Sequence, residues 1–165
     1  MSALRASLAL VVVALAFGAP VSRAASIPSR PWATINVCDT KGHPDALGVR
    51  GSMPGIGTQR THLYLRIQVE FQGSDGSWQT LGASGDSGWL DAGKTLLRSQ
   101  QTGRTFTITP PDKGQPAFVL RAQVRFEWRR GRRVLKRAHA ATTGGHKHVM
   151  GADPAGFSAA TCTIA

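Results

Sequence analysis

Three groups of residues in this 165-residue chain are of types that could do chemistry. In Gly85-Asp86-Ser87-Gly88 a serine stands among small residues, where it could act as a nucleophile in acyl transfer. That role needs a histidine to take the hydroxyl proton, a carboxylate to orient the histidine, and backbone donors for the oxyanion. His43 or His62, with Asp75, are the upstream candidates. His146 and His148 form an H-x-H pair in the glycine-rich stretch 144–156, with Asp153 nearby. On a strand such a pair turns both rings to one side, a start for a Zn or Cu site, with His43 or His139 as candidates for a third ligand. The third group is basic. Between Arg121 and Lys147 there are nine Lys or Arg and one acid, Glu127.

The first two groups have plainer readings. The segment around Ser87 is similar to the nucleophile segment of chymotrypsin-like serine proteases. It departs from that family at Trp89-Leu90, where the family continues with Gly-Pro, and neither His43 nor His62 lies in an Ala-Ala-His-Cys stretch. A polar glycine turn between strands accounts for Gly82 and Gly85 equally well. Paired carboxylates, the other common hydrolytic device, reduce to Glu70 and Glu127, which lie among arginines and read as ion-pair partners. The histidine pair sits on a loop with Lys147 between its members and no clear third ligand. The expectation is a protein with no catalytic site, no cofactor and no metal. The alternative is a small secreted hydrolase or metal-binding protein using Ser87 or His146/His148.

The elements that must position these residues are strands. From His62 to Gln72, Leu63, Leu65, Ile67, Val69 and Phe71 fall on one face, and Tyr64, Arg66, Gln68, Glu70 and Gln72 on the other. Residues 118–129 repeat the pattern, with Leu120, Ala122, Val124, Phe126 and Trp128 opposite Arg121, Gln123, Arg125, Glu127 and Arg129. Period two is the mark of a half-buried antiparallel strand. Each is followed by a glycine turn and a second strand, 78–81 and 133–140, so both read as hairpins. Weaker strands are expected at 32–38, 47–53, 89–90, 105–109 and 157–164, with connections at 51–57, 82–88 and 110–116. The two long strands share the pattern L-R-x-Q-V-x-F, starting at Leu65 and Leu120, which suits two equivalent central strands lying side by side.

The ends describe export. Arg5 precedes the apolar run Leu8 to Phe17, Gly18 and Pro20 break it, and Ser22-Arg23-Ala24 offers small residues to a signal peptidase. A ten-residue run is half the length a membrane span needs. Residues 1–24 therefore read as a cleavable secretory signal peptide, and 25–165 as one domain with no transmembrane segment. Cleavage removes Arg5 and Arg23, which takes the net charge of +11 down by two. Cys38 and Cys162, the only two cysteines, are expected to form a disulfide in an oxidising compartment.

Seven to nine short strands, turn signals about every ten residues and a domain-sized length resemble the immunoglobulin-like or fibronectin-type-III-like β-sandwich superfamily. The resemblance is architectural and implies an all-β, two-layer antiparallel Greek-key β-sandwich. Its disulfide would join the first strand to the last, unlike the central bridge of antibody domains. No functional residue carries over from so broad a superfamily.

Strand parity puts Arg66, Arg121, Arg125 and Arg129 on one outer face, with Arg130, Arg132 and Arg133 at the following hairpin tip. The functional expectation is a secreted binding or structural module whose Arg-rich face engages an anionic cell-envelope or extracellular polymer. Export excludes intracellular nucleic acid as the partner. The competing explanation is a solvated, edge-protecting surface in an arginine-rich composition.

Overall fold

The computed structural model describes residues 30–165, so the expected signal peptide 1–24 lies outside the described residues. Nine strands follow in order: β1 (Trp32–Thr40), β2 (His43–Pro54), β3 (His62–Gln72), β4 (Trp78–Thr80), β5 (Asp86–Lys94), β6 (Ser99–Thr107), β7 (Phe118–Arg130), β8 (Arg133–Ala141) and β9 (Cys162–Ile164). A single 3₁₀ turn, Gly82–Gly85, precedes β5. All strand pairs are antiparallel and fall into two sheets. One has the order β1-β2-β6. In the other, β3 and β7 form the centre, β4 and β5 share the outer side of β3, and β8 and β9 share the outer side of β7. The chain crosses between sheets at β2–β3, β5–β6 and β6–β7, which returns β6 to β2 and β7 to β3 in Greek-key fashion.

Alternation dictates the packing. Leu63, Leu65, Ile67 and Val69 of β3 are fully buried, as are Leu120, Ala122, Val124, Phe126 and Trp128 of β7. The two strands lie side by side, with Leu65 opposite Phe126 and Ile67 opposite Val124. Ala33, Ile35, Leu47, Val49, Met53 and Phe106 close the core from the other sheet. Each of the larger side chains, Val, Leu, Ile, Met or Phe, contributes about 1.5–3 kcal/mol on burial. The sheets approach closely at Gly51, where a Cβ would lie 2.8 Å from Leu65 Cδ2 and 3.1 Å from Phe126 Cε1.

The disulfide joins Cys38 of β1 to Cys162 of β9, with Cα atoms 5.5 Å apart. Since β9 pairs with β7, the bridge ties the two sheets together at one end. Between β8 and β9, residues 142–161 run along the free edge of β1. Ile35 N–H donates to Ala159 O at 2.9 Å and Ala159 N–H to Ile35 O at 3.1 Å, while Thr143 and Asp153 donate to Ala33 O and Asn36 O. Thr34 and Asn36, whose parity points them out of the core, are buried beneath this strap. Their side chains bond to Ser158 Oγ and Gly151 O. The exposed edges of β6 and β8 carry Arg104 and Lys136 at positions in register with core residues Val49 and Trp128. Long charged side chains on edge strands oppose pairing with another sheet.

Several boundaries differ from the sequence expectation. The strand expected at 157–164 contains only Cys162–Ile164, because 157–161 belongs to the strap. The weak signal at 89–90 is the middle of a nine-residue strand, Asp86–Lys94, so the expected connection 82–88 is a turn followed by a strand start. The expected connection 51–57 gives up its first residues to β2, and β6 begins at Ser99 because Pro54 pairs with it.

Candidate functional site

The serine and histidine constellations resolve into structural contacts. Ser87 is buried, its hydroxyl donates to Gly88 O at 2.6 Å, and it accepts the Ile67 N–H at 2.8 Å. Asp86 belongs to Arg66, and Asp75 closes its own turn through Ser77. His62 lies 3.2 Å from Asp91, and His43 lies 3.0 Å from Asp153. Hydrogen bonds from Thr40 and His43 hold the Asp153 carboxyl below its usual range. His146 stacks on Trp32 with ring centroids 4.1 Å apart, and Thr143 Oγ1 lies 2.8 Å from its Nε2. Burial lowers the pKa of that imidazole. His148 instead gives its carbonyl to Gln101. Among the described residues no three metal-ligating side chains converge.

The sheet-face arginines are where parity puts them, but carboxylates reach three of the four, two from neighbouring strands and one, Glu127, from β7 itself. Arg66 on β3 is held by Asp86 of β5, and Arg121 Nε donates to Glu70 at 2.7 Å. Arg129 and Arg137 both bond to Glu127, at 2.6 and 3.0 Å. The Arg66 hydrogen bonds hold the Asp86 carboxyl at about 2. Burial alone would raise Glu127, but hydrogen bonds from Arg129 and Arg137, and their charges, leave it lowered. Aromatic rings support the same cations: Arg121 lies 4.1 Å from the Trp78 ring centroid, and Arg129 lies 4.5 and 4.3 Å from Tyr64 and Trp89. This face is a set of matched pairs on aromatic shelves. Arg125, opposite Arg66 in register, stays exposed and without an ion pair among the described residues.

Unmatched charge collects at one end of the sandwich. Three connections meet there: 55–61 between β2 and β3, 95–98 between β5 and β6, and the β7–β8 tip. The register requires it, since His62 faces both Lys94 and Arg129, and Pro54 faces Ser99. Trp128 Nε1–H donates to Pro54 O at 3.0 Å and links the sheets at this end. The tip is a two-residue turn, with Arg130 opposite Arg133 and Gly131 at φ 57°, a left-handed position that glycine occupies without strain.

Arg60, Lys94, Arg98, Arg130, Arg132, Arg133 and Lys136 are exposed here, and none has an ion pair among the described residues. No acid occurs in residues 54–61, 94–101 or 129–139. Ile56, Leu96 and Leu97 are also exposed here, at 51%, 52% and 63%.

The hairpin arginines were expected from sequence; Arg60, Lys94 and Arg98 were not. The signal for them is Lys94-Thr95-Leu96-Leu97-Arg98, adjacent leucines between cations in a stretch without strand alternation. Comparison with protein-family models, with curated proteins and with solved structures finds no match to this chain.

Proposed function

We propose that this chain is an exported, immunoglobulin-like binding module that engages an anionic polymer or surface outside the cytoplasm. The binding element is the basic end built by the β7–β8 tip and its two neighbouring loops. The observation that carries this reading is the convergence of seven exposed cations, from three separate segments, none with an ion pair among the described residues. Charge so arranged raises the local concentration of polyanions and gains free energy from counterion release. On the sheet face Arg125 extends the same surface, while Arg66, Arg121 and Arg129 are already matched by carboxylates. The apolar leader in the sequence and the Cys38–Cys162 bridge support an extracytoplasmic setting.

The test is heparin chromatography with a salt gradient. Arg132→Gln/Arg133→Gln at the basic end is compared with Lys41→Gln/Lys113→Gln in turns at the opposite end, which removes the same charge. The expected result is earlier elution for the arginine variant and little change for the lysine variant. Equal shifts would assign retention to net charge and overturn the basic end as the site.

A further inference from the structure

Charge alone does not explain the composition of this end. Single exposed apolar residues are ordinary on a protein surface. Here three lie on two loops that are bonded to each other: Gly55 N–H donates to Arg98 O at 3.0 Å, and Gly57 N–H to Thr95 O at 2.9 Å. Those bonds lay the backbone of 55–57 against that of 95–98, so Ile56 and the Leu96-Leu97 pair belong to one joined loop surface. The loops therefore lose little freedom when they engage a partner. Arg60, Lys94 and Arg98 flank the apolar side chains in sequence, and the arginine hairpin adjoins them.

We infer that this end docks on an anionic lipid bilayer, with Ile56, Leu96 and Leu97 entering the interface and the surrounding cations contacting lipid phosphates. The inference rests on the anion-binding reading above and names its partner. A soluble polyanion offers phosphates, sulfates or carboxylates but nothing that rewards exposed leucines. A bilayer offers acidic headgroups and, a few ångströms deeper, acyl chains, which is the layered match to cations around an apolar centre. A second copy of the chain fits poorly, since apposing two such ends brings like charges together. The mode is peripheral: no helix among the described residues is long and apolar enough to cross a membrane.

The experiment uses co-sedimentation with vesicles of phosphatidylglycerol and phosphatidylcholine in equal parts, and with phosphatidylcholine alone. Heparin retention is measured in parallel. Three variants are compared with the wild type in the same purified form: Ile56→Ser/Leu96→Ser/Leu97→Ser, Leu97→Ser alone, and Arg130→Gln/Arg132→Gln/Arg133→Gln. Wild-type binding should require phosphatidylglycerol and weaken with salt. Each cation near an anionic surface is worth about fivefold in partitioning, so the arginine variant should bind vesicles about 100-fold more weakly and also elute earlier from heparin.

The triple serine variant should lose vesicle binding by about 100-fold, and Leu97→Ser by a few-fold, because apolar burial is removed. Both should keep wild-type heparin retention, and an unchanged near-ultraviolet circular dichroism spectrum shows that they remain folded. Wild-type heparin retention without vesicle binding, or with vesicle binding that the serine variants leave unchanged, would overturn the bilayer inference and keep the polyanion reading. Absence of both heparin retention and vesicle binding would overturn both.

Discussion

The contact between the sheets at Gly51 yields a test of the fold that does not depend on function. Phe126 is fully buried on β7, and Gly51 of β2 faces it across the core. Replacing Phe126 with Ala should cost about 3–5 kcal/mol, through lost transfer free energy and the cavity left behind. A methyl group added at position 51 would lie 2.8 Å from Leu65 Cδ2 and 3.1 Å from Phe126 Cε1. Carbon atoms at rest sit about 3.5–4.0 Å apart. Gly51→Ala must therefore push both side chains off their positions, at about 1–3 kcal/mol.

The two changes share the same space. With the Phe126 ring gone, one of the two clashes disappears and the new methyl group fills part of the cavity. The double variant should then be more stable than the sum of the single effects predicts, by about 1 kcal/mol. Urea unfolding followed by near-ultraviolet circular dichroism, with the disulfide intact, measures all four proteins. Additivity within about 0.5 kcal/mol would refute the contact, and with it the register that sets β2 over β7.

Two further perturbations test particular bonds. Replacing both Cys38 and Cys162 with Ser should destabilise the fold by roughly 4–5 kcal/mol, because the bridge closes a loop with a sequence separation of 124. Reduction of the wild type should lower its unfolding midpoint to that of the double variant, and an unchanged midpoint would count against the bridge. The carboxyl of Asp86 is held at about 2 against an ordinary 3.8, chiefly by the hydrogen bonds from Arg66. Its contribution is present above the higher value and is lost as pH falls through the lower one. Allowing for the partial exposure of Arg66, it amounts to about 1–2 kcal/mol. Asp86→Asn should therefore lower stability at neutral pH and flatten its decline between about pH 4 and pH 2. A decline as steep as that of the wild type would assign the acid sensitivity to other carboxylates.

Strand content was legible wherever one face is buried and the other is wet. His62–Gln72 shows strict alternation and is bounded in the structure as the sequence implies, and Phe118–Arg130 exceeds expectation by one residue. The central pairing was legible too, because the shared L-R-x-Q-V-x-F pattern marks two strands with equivalent surroundings. Strands lacking that contrast were underestimated. β6 begins Ser99-Gln100-Gln101-Thr102-Gly103, which carries no periodic signal and is strand only because β2 pairs with it along its length. The strap had the opposite problem: Phe157 and Ala159 pack against the core, yet their segment meets β1 through isolated bridges instead of forming a ladder.

The same limit governs the charged surface. Parity along one strand identifies which way a side chain points, and on that count Arg66, Arg121, Arg125 and Arg129 were assigned to the correct face. It says nothing about what a neighbouring strand sets beside them. Asp86 lies 20 residues from Arg66 in sequence, and Glu70 lies 51 from Arg121, so which partner each takes follows from register, whereas Glu127 stands two residues from Arg129 on the same strand and is legible there as its partner. Net charge is conserved through such pairing, and only its location changes. Where carboxylates interleave with arginines, as on the β3–β7 face, the excess disappears into ion pairs. Where three acid-free connections are forced together by the ends of β2, β5 and β7, the exposed cations have no ion pair among the described residues. The surplus of unpaired cations gathers at one end, where Ile56, Leu96 and Leu97 are also exposed.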